Sequence, residues 1–435
     1  MSEMKDSGIE WIGATPETWK MIPLKYLASY NDEVLSENTD DEFEFDYIEI
    51  GSVQYGRGII YTEHMKFKNA PSRARRIVRK DDIIVSTVRT YLKAVATIPA
   101  CNNSLIASTG FIVIRPHKVL PRFMNYALLS ESFISLVESH STGISYPAIN
   151  SVDVVKFKIP VPCRSEQERI AAFLDAECAE IDAVLEKTRA SIEEYKKLKQ
   201  AIITQAVTKG IRGDRPMKDS GIEWIGDIPE SWEVSSVRYI GQLQNGISKG
   251  GEFFGKGFPF VSYGDVYKNY ELPHSVSGLI DTTEDERATY SVEYGDIFFT
   301  RTSETIEEVG FSCVCKRSIP NATFAGFIIR LRPFCTDEKI LTDYAKYYFR
   351  GEHIRAYLVK EMNLVTRASL GQTLLKGMSV IVPPKSVQKE IAEYLDDKCA
   401  DIDALVAKKQ QYLTEIENYK KSLIYEYVTG KKEVV

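Results

Sequence analysis

SEQERIAAFLDAECAEIDAVLEK runs from Ser165 to Lys187, and SVQKEIAEYLDDKCADIDALVAK runs from Ser386 to Lys408, 221 positions later. In the first copy apolar residues recur at steps of three and four: Ile170, Leu174, Cys178, Ile181 and Leu185. The run continues through Ile192, Tyr195, Leu198, Ile202 and Ala206, with Thr188 filling one position. The second copy follows through Ile391, Leu395, Cys399, Ile402, Val406, Leu413, Ile416, Tyr419, Leu423 and Tyr427, with Lys409 where the first has Thr188. This spacing predicts a heptad seam along a long helix in each copy. No proline interrupts either run, and Gly210 and Gly430 are placed to end the helices as caps. A helix of about 40 residues is roughly 60 Å long. Its seam needs a partner, and the nearest equivalent partner is the other copy.

A second repeat lies upstream of each helix. MKDSGIEWIG occupies Met4–Gly13 and returns unchanged at Met217–Gly226, 213 positions later. All four tryptophans fall in or just after these segments: Trp11 and Trp19, then Trp224 and Trp232. Pro16-Glu17 and Pro229-Glu230 keep the same places. These tryptophans are expected to pin each entry segment onto its core. Between frame and helix lie two inserts with little resemblance. YIEIGSV, DIIVSTV, TGFIVIRP and FKIPVP in the first read as strands, as do FPFVSYGDV, GDIFFTR, GFIIRLRP and MSVIVPP in the second. PRFMNYALLSESFISLVES and LTDYAKYYFRGEHIRAYLVK read as helices. Each insert is therefore mixed α/β without regular βαβ alternation, and the chain as a whole is α+β. The expected division is 1–163, a first domain; 164–210, a first long helix; 211–384, a second domain; and 385–435, a second long helix.

At 435 residues, with 44% hydrophobic and 27% charged residues, the chain has an ordinary globular composition. No apolar run approaches the roughly 18 residues that span a bilayer. The start, MSEMKDSGIE, lacks the apolar segment of a secretory leader. The seven cysteines are scattered, and Cys178 and Cys399 take equivalent seam positions, so no disulfide lattice is expected. A reducing, cytoplasmic setting follows as the expectation.

Catalytic motifs do not hold. GGEFFGKG from Gly250 has the glycine-lysine spacing of a phosphate loop, but Gly257 stands where a magnesium-holding hydroxyl is needed. There is no GxGxxG and no HExxH, and Cys313 and Cys315 lack a second pair at zinc spacing. The five histidines are far apart in sequence, and Pro383-Pro384 lacks the flanking residues of an adenine-methylating signature. No metal site is read, and the balance favours a non-catalytic binding protein.

Net charge is −6, yet His64–Lys93 holds nine Lys or Arg against two acids. Such segregation bears on partners. Arg73, Arg75, Arg76, Arg79, Lys80, Arg89 and Lys93 are candidates for DNA phosphates or guanine edges, with Thr87 adding a hydroxyl. The competing reading is a solvated charged face beside a buried strand. In the second insert the candidates are Lys249, Lys256, Arg301 and Arg367; Asp296 aligns with Asp82, which puts Arg301 where Thr87 lies. The polar loops TGISYPAIN and NLVTRASLGQ are weaker candidates.

GIEWIG, then Pro-Glu-x-Trp, then a variable insert, then PVPxxxEQxRIAxFLDxxxxxID running into a heptad helix, all repeated, resembles the specificity subunits of type I restriction–modification systems. The resemblance covers the whole chain; it departs where Val387 replaces Glu166. It implies two target recognition domains, each reading half of a split asymmetric site in double-stranded DNA. It implies that the helices pair as an antiparallel coiled coil that sets the interval, giving a pseudo-two-fold repeat. It further implies two methyltransferase subunits docked on this scaffold and two restriction–translocase subunits completing the complex. S-adenosylmethionine, ATP and magnesium would belong to those partners, none to this chain, and no membrane is involved. Two other readings stand beside it: a standalone nucleic-acid methyltransferase or nuclease, and a coiled-coil scaffold that never touches DNA.

Overall fold

The structure, a computed structural model, describes residues 3–10, 12–101, 103–213, 215–303, 308–362 and 368–434. It divides into two compact units: Met1–Arg189 with Gln411–Val435, and Ala190–Gln410. Two long helices, Arg164–Lys209 and Lys385–Val428, each contribute one part to each unit.

In the first unit Leu174, Cys178, Ile181 and Leu185 of the first helix are buried in one core with Leu423, Ile424 and Val428 of the second. Leu413 and Ile416 pack against the edge of that core. Lys420 Nζ meets both carboxylate oxygens of Asp182 at 2.7 Å, and Arg189 Nη2 meets Glu417 Oε1 at 2.7 Å. Numbers rise on one helix as they fall on the other, so the helices run antiparallel. In the second unit Ile203, Ala206 and Val207 share a core with Ile391, Leu395 and Cys399, and Ile202 is half-buried against it. Ile192 and Ile402 are also buried, and Val406 is half-buried. There Lys199 Nζ holds Asp403 at 2.6 Å, and Lys409 lies 5.6 Å from the centre of the Tyr195 ring, again antiparallel. Asp182 and Asp403 are equivalent residues of the two copies, as are Lys199 and Lys420. Each unit thus pairs the aspartate of one copy with the lysine of the other, which is the signature of an internal repeat.

Two expected seam residues are displaced. Leu198 is 48% exposed and Tyr419 is 56% exposed. From Ile192 through Tyr195 to Leu198 two steps of three follow one another, which turns the side chain off the seam. Lys199 and Lys420 take those places, their stems buried and their ammonium groups on the aspartates.

Each helix ends on a left-handed glycine, Gly210 with φ +81 and Gly430 with φ +72. A Cβ at Gly210 would meet the Trp232 ring at 3.3 Å, and one at Gly430 would meet Trp19 at 3.2 Å and overlap Pro16. Only glycine serves both the turn and the close approach. Trp19 and Trp232 are buried, as expected of residues that pin the frame, while Trp11 lies outside the described residues. The frames themselves are short hairpins, Met4–Asp6 with Ala14–Pro16 and Met217–Asp219 with Asp227–Pro229.

The inserts, unlike in sequence, share a topology. In the first unit a four-stranded antiparallel sheet runs in the order Val95–Thr97, Ile83–Ser86, Phe111–Pro116, Ala28–Tyr30. In the second the order is Ser312–Val314, Ile297–Thr300, Ile328–Pro333, Gly241–Asn245. A further sheet in each contains one parallel pair, Glu44–Ile48 with Leu105–Ser108 and Phe254–Val261 with Thr323–Phe324. One glutamine per unit ties insert to helix. Gln167 accepts from Leu120 N at 2.8 Å and donates to Pro162 O at 2.9 Å; Gln388 accepts from Leu341 N at 2.7 Å and donates to Pro383 O at 2.8 Å.

Candidate nucleic-acid interface

The central strands Ile83–Ser86 and Ile297–Thr300 begin beside a buried aspartate and end in a surface loop. Asp82 takes a forked pair from Arg115, Nε at 2.9 Å and Nη2 at 2.8 Å; Asp296 takes the same from Arg332 at 2.7 and 2.6 Å. Burial pushes the Asp296 carboxyl above the usual carboxylate range, with Arg332 acting against it. Two arginines in strands that the sequence marked only as strands therefore hold the sheets together. They are not offered to a ligand.

Most of the basic stretch is likewise engaged within the domain. Arg79 Nη2 pairs with Glu33 at 2.7 Å, Lys93 with Glu138 at 3.1 Å, and Lys66 and Lys68 with Glu42 at 2.7 and 2.5 Å. Arg75 lies 5.0 Å from the centre of the Phe67 ring, and Arg76 is half-buried, which lowers its pKa. The Thr87 hydroxyl is buried and donates to Gly110 O at 2.9 Å, so it is turned away from solvent. Arg73, Lys80 and Arg89 remain exposed without an ion pair among the described residues. In the second unit Lys249 is held by Glu286 at 2.7 Å and Asp281 O at 2.9 Å. Lys256 is exposed between Gly255 and Gly257, at φ +83 and +90. Arg301 is half-buried and donates its backbone N–H to Phe327 O at 2.9 Å, beside an exposed Phe327 ring. Arg367 lies outside the described residues.

The structure brings together two loops that the sequence kept apart. After the central strand the chain turns through Thr90–Leu92, flanked by Arg89 at φ +51 and Lys93 at φ +53. TGISYPAIN lies against this turn. Val88 bridges Ala148, Thr142 bridges Ala148, and Ile149 N donates to Thr87 O at 2.9 Å. The Arg89 guanidinium sits 5.3 Å from the centre of the Tyr146 ring. Tyr91, Ile144 and Tyr146 are exposed around it. The second unit repeats the arrangement: Thr302–Ser303 pairs with Ala368–Ser369, and Leu370 N donates to Arg301 O at 2.7 Å. Left-handed backbone at non-glycine residues is costly and concentrates at functional sites. An aromatic between Gly143 and Pro147 was the signal available in the sequence, and charge counting overlooked it.

A cavity lies elsewhere in the first unit. About 570 Å³ opens in the first unit beside Tyr55, Tyr126, Cys178, Asp182 and Lys420. In the second unit Tyr270 lies at the corresponding pair, with its ring 5.0 Å from Lys199 Nζ. Neither set belongs to the paired loops.

A family model described as the type I restriction modification DNA specificity domain matches residues 16–194 and again 229–417. The chain belongs to that family. It is similar to the MjaVIII type I restriction enzyme specificity subunit of Methanocaldococcus jannaschii, 24% identical over 430 residues, covering 96% of this chain and 94% of that one. The EcoKI specificity subunit of Escherichia coli K12 is 22% identical over 436 residues, covering 96% and 90%. Among solved structures, a chain from work on the assembly and conformational transition of the type I system has a TM-score of 0.71 at 21% identity, covering 96% of this chain and 99% of that one. This last likeness is one of fold. Among the described residues no helix is long and apolar enough to cross a membrane.

Proposed function

We propose that this chain is the DNA-reading subunit of a type I restriction–modification complex. Each insert reads one half of an asymmetric bipartite site in double-stranded DNA, and the paired helices fix the interval and dock two methyltransferase subunits. Two restriction–translocase subunits join through the complex. The chain itself is non-catalytic: S-adenosylmethionine, ATP and magnesium are held by the partners. The setting is cytoplasmic. One observation carries the reading. Two inserts on the same sheet order, mounted on equivalent antiparallel helix segments, present unlike residues at equivalent loops.

Methylation mapping of genomic DNA from cells that carry the chain with its methyltransferase subunits tests it. The expected outcome is one motif of two unlike halves separated by an invariant gap. A continuous palindromic motif, or methyl transfer by the isolated chain, overturns the reading.

A further inference from the structure

We infer that in the first unit Arg89, Ile144 and Tyr146 form the tip that reads base edges, while Arg79 and Arg115, both paired with Glu33, only position the domain. This rests on the DNA-specificity reading above and names the residues that carry it out. The turn holding Arg89 is kept in a conformation that L side chains rarely adopt, with φ +51 at Arg89 and +53 at Lys93. It is cross-linked to the facing loop through the Val88–Ala148 bridge and the Ile149–Thr87 hydrogen bond. The tip is thus built in advance of binding, which limits the ordering cost of recognition.

The electrostatics separate Arg89 from its neighbours. Arg79 and Arg115 both face Glu33, and Lys93 faces Glu138. Arg89 has no carboxylate partner among the described residues; its companion is the Tyr146 ring, 5.3 Å away. A guanidinium stacked on an aromatic keeps its planar fork of donors free. That fork matches the O6 and N7 acceptors of guanine in the major groove. Ile144, fully exposed at 102%, stands on the same loop between Gly143 and Tyr146. Single exposed apolar residues are common. An isoleucine on a braced loop that carries an exposed tyrosine and faces an arginine with no carboxylate partner among the described residues matches the mixed edge of a base step, where a thymine methyl lies beside polar acceptors.

The test uses the complex of this chain with its methyltransferase subunits, S-adenosylmethionine and a library of duplex sites. Arg89→Lys and Arg89→Ala are expected to lose about tenfold or more in discrimination at a guanine of one half-site. Ile144→Ser is expected to relax a thymine preference in that same half. The other half-site and the gap stay unchanged, which also reports that each variant is folded. Arg79→Ala is expected to leave the motif as it was and weaken binding evenly, if at all. Unaltered discrimination in the Arg89 and Ile144 variants overturns the inference, as does relaxation caused by Arg79→Ala. A wild-type complex with no bipartite motif instead removes the function reading, and this inference with it.

Discussion

Trp19 and Trp232 occupy equivalent places in unequal surroundings. The Trp19 indole N–H donates to Glu166 Oε1 at 3.1 Å. Val387 stands where Glu166 does in the repeat, and the buried Trp232 indole N–H has no partner among the described residues. The sequence showed the substitution, but a lost acid at a helix start looks minor until the indole behind it is seen. An unsatisfied buried donor costs about 1–3 kcal/mol. Val387→Glu is therefore expected to raise stability by about 1 kcal/mol, read as a later urea midpoint. His353 is a second residue whose setting the sequence concealed. Its ring is buried, neither nitrogen has a partner among the described residues, and burial lowers its pKa to about 3. The ordinary value, about 6.5, applies to the unfolded chain. Above that pH both states are neutral and nothing changes. Below it the unfolded chain binds a proton that the fold refuses, so stability falls as pH drops from about 6.5 toward about 3, by at most about 1.4 kcal/mol per pH unit. Urea midpoints at pH 7.5 and 5.0 are expected to diverge more for the wild type than for His353→Phe. Equal shifts in the two proteins count against this account.

At the scale of elements, the heptad reading located both helices, and Leu174, Cys178, Ile181, Leu185, Leu395, Cys399 and Ile402 are buried as a seam requires. It failed at Leu198 and Tyr419. Apolarity alone favoured those residues, whereas a lysine one position on buries its stem and reaches an aspartate on the facing helix. That preference depends on a residue more than 200 positions away, which no local pattern contains. Aspartate at Leu174 and Ile181 together places two charges in the first unit's core without partners. Loss of cooperative melting in that unit is expected, since an unpaired buried charge costs several kcal/mol. Asp182→Asn is a milder change. Asp182 is half-exposed, so its pair with Lys420 is screened and the expected cost is about 1 kcal/mol. A double-mutant cycle with Lys420→Met measures it.

At the scale of the whole molecule, the repeat of frames and helices was plain in the sequence, while the shared architecture of the inserts was not. Strands such as Ile83–Ser86 and Ile297–Thr300 could be marked, and Asp82 and Asp296 aligned, yet sheet order depends on pairings between distant segments. The candidate interface was legible only in part for the same reason. Glu33 and Glu138, which engage Arg79 and Lys93, lie outside the basic stretch, and TGISYPAIN meets Arg89 only through the fold. The common sheet order predicts that the inserts are exchangeable. A chain carrying the second insert in both positions is expected to fold and to direct methylation to a site whose two halves are the same, as read by motif mapping. An asymmetric motif from that chain counts against it.

Gln167 and Gln388 lead to one further consequence. Each grips the main chain where it leaves the insert, at Pro162 or Pro383, and again within the insert, at Leu120 or Leu341, through backbone atoms rather than through side chains of the outward loops. A join that grasps backbone is indifferent to what lies beyond it. Heredity can therefore replace a whole head between two such grips in a single exchange, and a lineage acquires a new address in the genome without relearning how to assemble.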